Sequence, residues 1–356
     1  MDEIVVTRSS RPQHLVICAK YESRMRFVVF GAGAIGSGMG GHLHRTGHDV
    51  LVVGRPAHVD RIRQRGLQLV TADETYSVPV PAASRAEDVA FTDDDVVLLC
   101  VKSQDTDRAL VEIRAAGGDP ASLPILCCQN SITNEPAAAR YFERVYGVLI
   151  VVPGIFLEPG VVYNNSEGNA GFVEIGRFPD GSDTLSEHVA HALSAASYAA
   201  YANPQVMAAK ASKMFSNLGN ALGAITDGRG DQTAFMVEVR REAASCFDAA
   251  GVRYEPPDQF QKRSKEQHRQ SVLPAGVRNL GSSWQSLQRG LGSIEADFLN
   301  GEIVRLGRLH GIPTPHNAVL QEVANAMAAR REKPGKYSAQ DLEELARARA
   351  ARARER

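Results

Sequence analysis

"FVVFGAGAIGSGMGGHL", residues 27–43, passes from an unbroken apolar run through three glycines into a helical pattern. Gly31, Gly33 and Gly36 stand in the G-x-G-x-x-G spacing. The first glycine of such a loop permits a tight turn. The second lets a pyrophosphate approach the backbone, and the third lets helix and strand pack closely. The helix that follows offers unpaired N–H groups and the positive end of its dipole to phosphates. Placed in a βαβ unit, the loop Gly31-Ala32-Gly33-Ala34-Ile35-Gly36 reads as a dinucleotide cradle rather than a mere turn.

The surrounding sequence supplies that unit. "RFVVF" (26–30), "VLVVG" (50–54), "DVVLLCV" (95–101) and "PILCCQ" (124–129) are short apolar runs. Between them lie helical patterns, each closed by a glycine. Continuous rather than alternating apolar strands imply a sheet covered on both faces. Strand and helix in alternation imply a doubly wound parallel sheet. "GVVYNN" and "FVEIGR" continue the β texture, and a helical pattern follows at 184–197. After Pro204 the stretches 205–225, 231–250, 293–310 and 315–332 all read as helices. The fold expected is α/β, an N-terminal Rossmann-type doubly wound parallel sheet over 25–203 and an all-helical domain over 204–335. Residues 1–24 read as a loose extension and 336–356 as a frayed basic tail with little apolar face.

Bulk composition narrows the function. The chain has 356 residues, 44% hydrophobic and 23% charged, with a net charge of −1. That is soluble, two-domain composition with no pull toward nucleic acid or an anionic membrane. The longest apolar stretch, "VYGVLIVVPGIFL" (145–157), is too short to span a bilayer and is broken by proline and glycine. Five cysteines lack metal-site spacing, so no metal is expected, and buried free thiols fit a reducing cytoplasm.

The tip of the second strand selects the cofactor. An NAD site wants Asp or Glu there for the ribose hydroxyls, whereas this chain has Gly54 and then Arg55. An arginine pairs with a 2′-phosphate, so NADP(H) is favoured over the reading of Arg55 as a plain surface residue. Lys102 and Asn130 follow two further strands at the end where ligands bind in such sheets. Either could simply start a turn or helix.

"ASKMFSNLGNALGAI" (211–225) carries one charged residue, Lys213, among small, apolar and amide residues. On a helix Lys213, Asn217 and Asn220 share a face, with Lys210 one turn earlier. An ordinary wet stripe would carry more charge. By the residues alone the two readings stand even; a lysine, if desolvated there, would suit protonation of the alkoxide left when a ketone is reduced. Glu295 follows Ser293, where an acid at a helix start is favourable whatever its function. His310 reads as a C-terminal helix cation.

These segments together resemble the ketopantoate reductase (2-dehydropantoate 2-reductase) family. The resemblance covers residues 26 to 340 and rests on "FGAGAIGS", "CVKSQDT", "QNSITNE", "KASKMFSNLGNA", "GSSWQSL", "SIEADFLNGEIVRLGRLHGIPTPHN" and "KPGKYSAQDL". It implies that NADPH is bound by the Rossmann domain and that a 2-oxo acid is reduced to a 2-hydroxy acid beneath a helical domain. It implies Lys213 as catalytic lysine and Glu295 as active-site acid, bonding the lysine or the product hydroxyl. Asn217 and Ser283 would touch the substrate, and Asn130 would stand near nicotinamide and substrate. Arg55 and Lys102 would face the 2′-phosphate. The chain departs from the family pattern at Ala211, where a tryptophan is usual, and at Ala221, with Asn220 one position early. "WQSL" after Ser283 is a third departure. The expected partner is a small 2-oxo acid, with a homodimer as an open assembly. Alternatives are a relative acting on another 2-oxo acid or an imine, and an NADPH-sensing protein without turnover.

Overall fold

The computed structural model describes residues 25–271 and 281–354, so the expected extension at 1–24 and the last two residues lie outside it. Eight strands form the main sheet. In chain order they are β1 (Arg26–Phe30), β2 (Asp49–Val53), β3 (Ala82–Ala83), β4 (Asp95–Leu99), β5 (Ile125–Cys127), β6 (Val145–Val151), β7 (Phe172–Arg177) and β8 (Ala199–Ala202). Their spatial order is β8-β7-β6-β5-β4-β1-β2-β3. Strands β1 to β6 are mutually parallel in the order 3-2-1-4-5-6, the doubly wound arrangement expected. β7 pairs antiparallel with β6, and β8 follows it in parallel. At the entry to β1, Arg26 fixes the register by a two-pronged pair with Asp95 of β4, at 2.6 and 2.7 Å.

Helices α1 (Ala34–Arg45), α2 (Pro56–Arg65), α3 (Thr106–Ala115), α4 (Asn134–Ala138) and α5 (Thr184–Ala195) cover the sheet. Apolar residues on its two faces form separate clusters, one around Phe27, Val29 and Leu98, the other around Val28, Val97 and Leu99. Alternate residues of the same strand thus feed opposite faces, so the strands read as continuous apolar runs. A smaller sheet of Leu67–Thr71, Thr75–Val78, Gly154–Ile155 and Val161–Asn164 lies beside α1 and α2.

The remaining helices are α6 (Val206–Asn217), α7 (Gly219–Thr226), α8 (Thr233–Ala250), α9 (Pro257–Gln267), α10 (Ser282–Gln288), α11 (Asn300–His310), α12 (Pro315–Ala329) and α13 (Ala339–Arg354). The pattern expected as one helix over 205–225 is two, because the Asn300 amide takes the Leu218 carbonyl at 3.2 Å and interrupts the ladder there. The expected helix over 293–310 begins only at Asn300, after a single tight turn at Glu295–Asp297. A second correction concerns the basic end of the chain. It is a docked helix and not a frayed tail: Leu342 and Ala346, one turn apart, are fully buried in the helical core. Glu343 reaches His316 at 3.2 Å, and Arg349 pairs with Glu322. Two buried residues and a few ion pairs hold a helix that has little apolar face.

Candidate active site

A cleft of about 790 Å³ opens between the sheet's carboxyl edge and the helical domain. At its floor Gly31 turns the chain with φ of +112°, a conformation that side chains rarely adopt. A Cβ there would stand 2.5 Å from the Val101 nitrogen, and one on Gly36 would stand 2.3 Å from the Gly31 oxygen. A Cβ on Gly33 would meet nothing within 4 Å. Gly33 therefore shows bare backbone to the cleft, at the start of α1, as a pyrophosphate requires. Ala32, Ala34 and Ile35 line the same floor.

The missing acid at the tip of β2 has a steric reason. A Cβ on Gly54 would lie 2.6 Å from the Ala32 Cβ, so no side chain fits there. Arg55, the next residue, precedes α2 and lines the cleft.

Asn130 follows β5, and the next residue, Ser131, holds φ of +77°, a left-handed conformation uncommon outside glycine. This turn aims the Asn130 amide into the cleft, where its Oδ1 accepts a hydrogen bond from Lys213 Nζ at 2.8 Å. The Ile150 carbonyl at the end of β6 is a second acceptor for the same ammonium. Burial lowers the Lys213 pKa to about 7. The charge of Lys210 adds to this, and Glu295 partly opposes it. Asn217 and Asn220, on the turns that follow, line the same cleft.

Sequence reasoning missed how Lys210 is used. This lysine is buried rather than part of a wet stripe, and its Nζ lies 2.6 Å from Glu135 of α4, which is wholly enclosed. It also donates to the carbonyls of Cys127, Gln129 and Val148 at 3.1, 2.9 and 3.2 Å. The cation thus ties the end of β5 and the middle of β6 to α6 and stands one helical turn from Lys213. Its setting among small and apolar neighbours, like that of Lys213, was the available signal. Arg289, which also lines the cleft, left no such signal.

Glu295 accepts from Lys102 Nζ at 2.5 Å and from the Ser103 N–H and hydroxyl at 3.2 and 3.3 Å. Lys102, expected opposite a 2′-phosphate, is thus engaged across the cleft by Glu295. The Ser293 hydroxyl accepts from the Gln104 amide at 3.2 Å and caps no helix among the described residues. Ser283 is buried behind the cleft, its hydroxyl without a partner among the described residues, while its neighbours Ser282 and Ser286 line the wall. The departures from the family pattern sort by direction. Ala211 and Ala221 face the helical core, and Asn220 faces the cleft.

Among known proteins, the family model for ketopantoate reductase PanE/ApbA matches residues 27–180, and the model for its C-terminal part matches 205–328. The 2-dehydropantoate 2-reductase of Pyrococcus horikoshii is 27% identical over 316 residues, spanning 85% of this chain and 97% of that protein. That of Mesorhizobium japonicum is 29% identical over 330 residues, spanning 82% and 94%. The crystal structure of a PanE/ApbA family ketopantoate reductase from Ralstonia eutropha JMP134 superposes with a TM-score of 0.72 at 31% identity, over 86% of this chain and 99% of that one. D-Mandelate dehydrogenase, solved with NADH and anilino(oxo)acetate, shares the fold with a TM-score of 0.73 at 22% identity, over 86% and 99%.

Proposed function

This chain belongs to the ketopantoate reductase family of oxidoreductases, and from that premise we propose that it reduces a 2-oxo acid to a 2-hydroxy acid with NADPH, 2-dehydropantoate first among the substrates. One observation carries the reading. A lysine acidified to about 7 lines a cleft whose floor is the bare backbone of a dinucleotide cradle.

Gly31, Gly33, Gly36 and the start of α1 would hold the pyrophosphate, and Arg55 the 2′-phosphate. When bound, the nicotinamide supplies the reducing equivalent that the carbonyl carbon accepts. Everything else falls to the chain's own side chains. The Lys213 ammonium, aimed by Asn130 and the Ile150 carbonyl, stabilises negative charge growing on the carbonyl oxygen and passes its proton to it. A pKa near the working pH serves this step, because the acid is both populated and willing to give its proton. Asn217 and Asn220 offer amides to the substrate's polar groups, and Ser286 a hydroxyl.

The test is NADPH oxidation with a panel of 2-oxo acids, with and without amines. Turnover of 2-dehydropantoate above the others is the expected outcome. A preference for another oxo acid or an imine would move the substrate assignment, and binding of NADPH without any oxidation would make the protein a sensor. The cradle can be tested separately. Gly33→Ala should fold as the wild type does, since its Cβ enters open space. It should weaken NADPH and NADH alike by about tenfold or more, about 1.4 kcal/mol, as the methyl keeps the pyrophosphate from the backbone. Calorimetric titration of both cofactors reads this directly, and unchanged affinities would remove the cradle assignment.

A further inference from the structure

Four arginines line the cleft: Arg55, Arg85, Arg108 and Arg289. Two are answered by acids. Arg85 pairs with Glu87, and Arg108 with Asp105 at 2.6 Å and Glu112 at 3.1 Å. Arg55 and Arg289 make no ion pair and no side-chain hydrogen bond among the described residues. They come from different domains, Arg55 from the tip of β2 and Arg289 from the residue that ends α10.

Arg289 is half-buried, its guanidinium 4.6 Å from the centre of the Phe156 ring. Burial and the nearby charge of Arg55 both lower its pKa. The adjacent His58 adds no charge. Burial and Arg289 lower its pKa to about 4, and its ring is held by Ser37 Oγ at 3.0 Å and the Gly160 N–H at 2.8 Å. Two guanidinium groups, one from each domain, thus line one cleft with no acid paired to either among the described residues. Arg55 is exposed and Arg289 half-buried, and like charges so placed repel unless an anion stands between them. Paired guanidinium forks match the oxygens of a phosphate. At the tip of β2 that phosphate falls on the ribose 2′ position, because the pyrophosphate belongs to the glycine loop.

We propose that Arg289 of the helical domain grips the 2′-phosphate of NADPH together with Arg55, so that preference for NADPH is written in both domains. This rests on reading the protein as an NADP(H) reductase. The test is the affinity of the full chain for NADPH and for NADH, by titration. Wild type should bind NADPH about tenfold or more tightly, about 1.4 kcal/mol. Arg289→Met, which keeps an apolar stem on Phe156, should weaken NADPH by about threefold, about half of that preference in free energy, and leave NADH unchanged. Arg289→Lys should fall between, and Arg55→Met with Arg289→Met should lose the preference altogether. A wild type without preference overturns the NADP(H) reading itself, before any variant is made. A wild-type preference that Arg289→Met leaves intact, or equal losses for both cofactors, overturns the role of Arg289 alone.

Discussion

Lys213→Ala should lower kcat by about 10²–10⁴, the usual span for loss of a general acid. NADPH affinity should change little, because Lys213 bonds Asn130 and the Ile150 carbonyl rather than the cradle or either arginine. In the wild type, kcat/KM should fall as pH rises through about 7, where Lys213 gives up its proton. That limb should disappear in Lys213→Ala. Stability supplies an independent check. The folded pKa lies below the ordinary 10.5, so the folded chain holds this proton less tightly than the unfolded one. Stability contributed by this group therefore rises with pH between about 7 and 10.5, and its penalty is complete below about 7. Lys213→Met, which keeps the apolar stem, should then raise the melting temperature at about pH 6 and not at about pH 11. A variant that retains full kcat on a verified substrate would reduce Lys213 to a buried curiosity.

Lys210→Ala should be the most destabilising single change at the site, by about 3–5 kcal/mol, since it leaves the enclosed Glu135 carboxylate without its cation. Burial already raises the Glu135 pKa, with Lys210 opposing it. Losing Lys210 should raise it further. A carboxyl with a raised folded pKa is favoured in the folded chain at low pH, so the variant should regain stability on acidification more steeply than the wild type does. Lys210→Met with Glu135→Leu removes both charges and should recover much of the loss. Denaturation across a pH series reads all three. In the double variant Lys213 also loses a nearby positive charge, so the kcat/KM limb should move to higher pH. An unmoved limb would confine Lys210 to a structural role.

The glycine loop, the alternation of strands and helices and the lone Lys213 were legible in the sequence because each is a local pattern. A strand's apolar run, a turn's glycine and a helix's polar face are set by neighbours within a few residues. What escaped were pairings between distant segments. Lys210 and Glu135 stand 75 positions apart, Lys102 and Glu295 stand 193 apart, and no spacing rule connects them. Glu295 was expected beside Lys213 or the product hydroxyl, and it holds Lys102 and Ser103. The docking of α13 escaped for a related reason. Leu342 and Ala346 are a small stripe on an Arg-rich helix, and only the helical core that receives them makes them count.

The clash between Gly54 and Ala32 has a consequence for how this protein could change over generations. The shortest route to an NADH enzyme is one acid at the tip of β2, where it would bond the ribose hydroxyls. In this chain that step is closed at Gly54, because the new Cβ would sit 2.6 Å from the Ala32 Cβ. Gly54→Asp alone should misfold the cradle, whereas Ala32→Gly followed by Gly54→Asp should be tolerated. The same two changes are thus ruinous in one order and passable in the other, so the cofactor preference we propose is sheltered from drift by a single methyl group.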